Sequence, residues 1–145
     1  MAGVPTVGED SGLEIACLGG EPGVHSARYH GLPDGPTKNA HILDLVGDRP
    51  PGQRRCTYIC VMVLIQPGGV EGDVGQIESV FRGRCSGQIA REPAGAGGFG
   101  FDPIVRLPQL RCTMAELSDP QKDAISHRAR AARKLLAYLN GAAPV

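Results

Sequence analysis

Three groups of side chains in this sequence have types and spacings that can do chemistry. Glu9 and Asp10 are adjacent carboxylates followed at once by Ser11 and Gly12. A carboxylate at a strand end can hold a hard cation such as Mg²⁺ and orient or deprotonate a bound water, while an acid pair in a turn is equally at home as solvated charge. The stretch "REPAGAGGFGFDPIV" sets Phe99, Phe101 and Asp102 among Gly95, Gly97, Gly98 and Gly100. A ring with few side chains around it offers a flat face to a base, Phe99 ahead of Phe101, or else plugs the loop onto the core. Asp102 either accepts a hydrogen bond from a purine edge or opens the turn at Pro103.

The third group is Lys122, Ser126, His127 and Arg128. Lys122 and Ser126 are four apart and share a helix face, and Arg128 carries a rigid donor fork suited to phosphate oxygens or to a purine carbonyl and ring nitrogen. Lys122 suits phosphate charge. The competing reading is a solvated basic face, since Arg130, Arg133 and Lys134 follow. Together the groups supply metal and water, base recognition and phosphate neutralisation, the components of a nucleotide hydrolase.

The elements that must position them are legible in outline. Val4 to Cys17 predicts a short strand, an acid-bearing turn and a second strand in which Leu13, Ile15 and Cys17 alternate with Ala16 and Glu14. The Gly- and Pro-rich stretch after it is irregular up to Thr37, which can cap a helix over Lys38 to Val46. "RCTYICVMVLIQ", Arg55 to Gln66, is too continuously apolar for a surface strand and is expected centrally, covered on both faces. After a turn at Pro67 to Gly69, two strands are expected around Ile77 to Arg82 and Gly87 to Arg91. A single C-terminal helix is expected from Ser118, which can cap it, with Pro120 in the first turn and Ile125, Ala129, Ala132, Leu136 and Leu139 as its apolar stripe.

Lys plus Arg and Asp plus Glu number 15 each, so net charge gives no reason to expect nucleic acid as a partner. No apolar run reaches membrane-spanning length and the N-terminus lacks the pattern of a secretory signal, which predicts a cytoplasmic protein with no membrane partner. The five cysteines are never spaced as CxxC and the four histidines form no HxxxH pair, arguing against a zinc or iron centre and for reduced thiols. At 145 residues the chain is expected to be one domain, residues 1–145.

The strings "EDSGLEIACLGGEPGVHSARYHG", "REPAGAGGFGFDPIV" and "TMAELSDPQKDAISHRARA" resemble, in order and spacing, the Ham1-like family of inosine/xanthosine triphosphate pyrophosphatases. The resemblance implies an α/β fold: a mixed β-sheet with flanking helices and two lobes around a central cleft. It also implies a Mg²⁺-dependent hydrolase, homodimeric and cytoplasmic, that splits purine nucleoside triphosphates such as ITP, dITP and XTP into monophosphate and pyrophosphate. Carried over by position, Asp10 is the general base and metal-linked acid, with Glu9 beside it on the metal, and Ser11 is a substrate contact. Phe99, Gly100, Phe101 and Asp102 become the base-binding loop, and Lys122, His127 and Arg128 the C-terminal substrate contacts, the last two reading the 6-oxo group. The family's usual acid pair is Asp-Asp, here Glu9-Asp10. Family members also begin with a strand, a phosphate loop and an acid-bearing helix that precede the position where this sequence starts. The expectation is therefore an N-terminally truncated form with an exposed sheet edge, and the alternative function is an impaired fragment that binds nucleotide or a subunit.

Overall fold

The computed structural model describes residues 4–67 and 76–141. Its frame is a six-stranded sheet built on two long central strands, β3 (Arg55–Pro67) and β4 (Gln76–Ile89). Beside β3 lies β1 (Thr6–Ile15), flanked by the two-residue β2 (Pro22–Gly23). Beyond β4 lie β5 (Val105–Leu107) and β6 (Cys112–Thr113), in the order β2-β1-β3-β4-β5-β6. The α/β class with helices flanking a sheet is as expected. Every pairing between described strands is antiparallel, where a mixed sheet was expected.

Two expectations about strand boundaries are corrected. The acids do not sit in a turn: β1 runs unbroken through Glu9, Asp10 and Gly12, each paired to β3. Ser11 and Gly12 resemble a turn locally, but thirteen residues of β-branched and apolar β3 provide a template that overrides that signal. The two strands expected on either side of Gly83 are likewise one, β4. Gly83 is there because a Cβ would collide with the carbonyl of His127, so it lets a helix lie directly on the strand. The turn expected at Pro67 to Gly69 falls mostly outside the described residues.

β3 is central as expected, yet its two faces differ. Cys56, Tyr58, Cys60, Met62 and Leu64 are buried, while the alternate residues Thr57, Ile59, Val61 and Val63 are half-buried and Ile65 is exposed. Burial alternates here although polarity does not, which is why composition pointed to two covered faces.

Two apolar clusters share the covered face. The larger gathers Leu13, Ile15, Tyr58, Ile89, Phe101 and Ile104 beneath α1 (Pro36–Val46), which contributes Ile42 and Val46. Proline at its N-terminus starts α1 one residue before Thr37, and no side chain caps it. The smaller cluster joins Cys60, Met62, Leu64 and Phe81 to Ala131 of α3 (His127–Leu139). The boundary between them crosses β3 between Tyr58 and Cys60, and the two lobes meet there.

The expected C-terminal helix is two helices, α2 (Asp119–Ile125) and α3, broken at Ser126. Ser118 caps α2 reciprocally with Gln121, and Pro120 lies in its first turn, both as read from sequence. Ser126 then caps α3 by accepting from the Ala129 N–H, 3.2 Å. Arg133 reaches back to the carbonyls of Asp123 and Ala124 at the end of α2. The break resets the helical phase: Ala131, Leu135 and Tyr138 face the sheet with Ala132, while Leu136 and Leu139 are exposed.

Candidate functional site

A cavity of about 230 Å³ opens at the lobe boundary, walled by β1, the Gly-rich loop and the first turn of α3. Of the residues singled out in the sequence, Glu9, Asp10, Ser11, Phe99, Gly100, Phe101, His127 and Arg128 all line it. Asp102 and Lys122 do not.

The break at Ser126 is what aims His127 and Arg128. By capping α3, Ser126 places both in its first turn, facing β1 across the cleft. His127 is buried and its ring stacks on Tyr58, centroids 4.7 Å apart and 10° from parallel. Burial, then the neighbouring Arg128 charge, lowers its pKa to about 4, so at neutral pH the ring is uncharged. Its Nδ1 is buried with no hydrogen-bond partner among the described residues. Arg128 keeps an exposed guanidinium, 5.4 Å from the Phe99 ring centroid.

Phe99 is 59% exposed and Phe101 4%, which separates the stacking face from the plug. Behind Phe99, Asp102 is buried and accepts from the Phe99 N–H (2.9 Å), the Tyr58 hydroxyl (3.0 Å) and the Lys122 ammonium (2.5 Å). Asp102 thus does more than open a turn; it anchors the loop. Lys122, expected to face phosphate, is spent on Asp102 and sits 4.7 Å from the Phe99 ring centroid. Gly98, with φ of +73°, leaves room for this pair, since a Cβ there would meet the Asp102 carboxylate.

Strand alternation sends Glu9 and Ser11 to the covered face and Asp10 to the other. One oxygen of Glu9, Oε1, accepts from the Ser11 hydroxyl (2.5 Å), Arg128 Nε (3.1 Å) and the Cys60 thiol (3.4 Å), and Arg128 Nη2 lies 3.1 Å from it as an ion pair. Burial pushes the Glu9 pKa up, but the hydrogen bonds from Ser11 and Arg128 outweigh it and the net shift is downward. That engagement turns Oε1 of Glu9 toward Ser11 and Arg128, where the expectation set Glu9 with Asp10 on a cation. Asp10 is exposed, accepts the Ser11 N–H at 2.9 Å and borders the cavity. Among the described residues no three His, Cys, Asp or Glu side chains converge on one metal position.

Sequence reasoning missed Tyr58, Ser26 and Lys38. Lys38 is fully buried, donates to the Ser26 (2.7 Å) and Ala27 (3.2 Å) carbonyls and pairs with Asp34, holding the cavity wall those three residues form. A hydroxyl-bearing ring at Tyr58 within an apolar run was the available signal for one of them.

Fold and cleft define an α/β protein in which an exposed aromatic ring, Phe99, and a cationic fork, Arg128, border one cavity. The Ham1 family model matches residues 1–138, and the chain belongs to the Ham1 family. It is 42% identical over 143 residues to a dITP/XTP pyrophosphatase of Photorhabdus laumondii, covering 98% of this chain and 70% of that protein. A dITP/XTP pyrophosphatase of Geobacillus kaustophilus is 42% identical over 132 residues, covering 90% and 61%. The Staphylococcus aureus Ham1 protein superposes with a TM-score of 0.83 at 38% identity, over 97% of this chain and 69% of that one. The chain thus spans 61 to 70% of the length of these relatives.

Proposed function

We propose that this domain hydrolyses 6-oxo purine nucleoside triphosphates, ITP, dITP and XTP, to monophosphate and pyrophosphate. The observation that carries this reading is the convergence of Phe99, neutral His127 and the Arg128 guanidinium on one cavity. The base stacks on Phe99. A 6-oxo purine presents an acceptor where adenine presents an amino donor, so a fixed cationic donor at that edge favours the first and leaves the second unmatched. Ser11, Gly100 and Phe101 line the rest of the pocket, while Asp102 and Lys122 act from behind by fixing Phe99. The cavity is smaller than the roughly 300–1,000 Å³ of most ligand sites, so the triphosphate runs out past its mouth along β1.

Asp10 sits at that mouth and takes the proton of the attacking water as its oxygen bonds to the α-phosphorus and the bridging oxygen leaves with pyrophosphate. A single exposed carboxylate fits Mg²⁺, which is commonly held by one or two carboxylates together with substrate phosphates, and Mg²⁺ bound there would neutralise phosphate charge. On this reading the protein is a cytoplasmic homodimer acting on free nucleotides, with Ile65 and Val80, exposed on the uncovered sheet face, available to a partner subunit. The second reading is a nucleotide-binding module without catalysis, favoured by the commitment of Lys122 to Asp102 rather than to the cleft.

Pyrophosphate release from ITP and XTP with Mg²⁺ tests the proposal. Release that is abolished by EDTA and lost in Asp10→Asn supports it; saturable binding with no release selects the second reading.

A further inference from the structure

Glu9 gathers partners on a single oxygen from two elements remote in sequence: the Ser11 hydroxyl of its own strand, and Arg128 on α3, 119 residues away, through a hydrogen bond from Nε and an ion pair with Nη2. The Nε bond together with the Nη2 ion-pair contact holds that edge of the guanidinium against Glu9, and Nη1 is left to point elsewhere.

We infer that Glu9 is the positioning residue that holds the Arg128 fork in register for the 6-oxo edge of a purine, and so sets base selectivity, rather than a ligand of the metal. This rests on the nucleotide reading above. Without Glu9 the Arg128 side chain, which is 44% exposed, is free to swing into solvent, and a mobile donor discriminates less between an acceptor and a donor at position 6. Ser11, bonded to the same oxygen, keeps the carboxylate in the rotamer that meets Arg128.

The test compares Glu9→Ala with Glu9→Gln, whose amide oxygen still accepts from Arg128 and Ser11 but is a poor Mg²⁺ ligand. ITP and ATP affinities are measured by calorimetry across a Mg²⁺ series. The Arg128 Nε–H is followed by NMR without any nucleotide. Glu9→Ala is expected to cut the ITP-over-ATP preference about tenfold, and Glu9→Gln by no more than about threefold, with the Mg²⁺ midpoint unchanged in both. The Nε–H is expected to be protected from exchange in wild type and Glu9→Gln and exposed in Glu9→Ala. Equal loss of Mg²⁺ affinity in both variants, or an unprotected Nε–H in wild type, overturns the inference. A wild-type protein with a protected Nε–H and no ITP preference instead refutes the nucleotide reading, and with it the selectivity role.

Discussion

The imidazole of His127 lies flat on the ring of Tyr58, 4.7 Å between centroids, while the Tyr58 hydroxyl donates to Asp102 at 3.0 Å, so one stack joins α3, β3 and the Gly-rich loop. Burial raises the Tyr58 pKa well above its ordinary value and lowers that of His127 to about 4. The stack is therefore neutral on both sides at pH 7.

A pH dependence of stability follows from His127. Its folded pKa lies below the unfolded value near 6.5, so between about pH 4 and 6.5 the unfolded chain binds more protons and stability rises with pH. The stabilisation is complete above about pH 6.5 and is lost as pH falls toward 4. Urea unfolding at pH 7 and pH 5 should differ by on the order of 2 kcal/mol from this group alone. In His127→Gln that contribution should vanish.

Removing Lys122 should cost more than its exposed end suggests. Lys122→Met leaves the Asp102 carboxylate, 3% exposed, without its cation, and about 3 kcal/mol of stability should go. Adding Asp102→Asn to that variant should recover part of the loss, because the uncompensated charge is gone. A urea titration of single and double variants checks both.

Gly98→Ala should destabilise by about 2 kcal/mol or more, since the position is left-handed and the new Cβ meets the Asp102–Lys122 pair. The loop should then release Phe99, read as a weaker affinity for ITP with the Mg²⁺ dependence unchanged.

Neighbouring leucines on α3 should behave oppositely. Leu135 packs on the Cys60, Met62 and Phe81 cluster, and Leu135→Ala should cost about 2 kcal/mol. Leu136 is 56% exposed, and Leu136→Ala should change stability by less than about 0.5 kcal/mol. Thermal unfolding of the two variants side by side is the check.

These leucines also show where sequence reading reached its limit. With Leu135 and Leu136 adjacent, either completes an apolar stripe, and only the break at Ser126, whose cap signal lies inside an otherwise helical run, decides which does. β3 was legible because its thirteen residues are mostly β-branched or apolar and admit little else, and the irregular Gly-rich loop because its glycines admit no regular element. Most candidate site residues were found by type, and eight of them line one cavity. The direction each side chain takes was not legible. Glu9 and Asp10 read as a pair in one dimension, but strand alternation parts them. Lys122 read as a phosphate ligand because its partner Asp102 lies twenty residues back, a contact that no local pattern encodes.

The central claim is that this cleft selects a 6-oxo purine through Arg128. Its most direct test is the ratio of kcat/KM for ITP over ATP in wild type and in Arg128→Lys, which keeps the charge and loses the fork. A wild-type ratio on the order of 10² or more, falling at least tenfold in the variant, is the predicted result. Equal turnover of ITP and ATP by the wild-type protein, or a ratio untouched by Arg128→Lys, would contradict it.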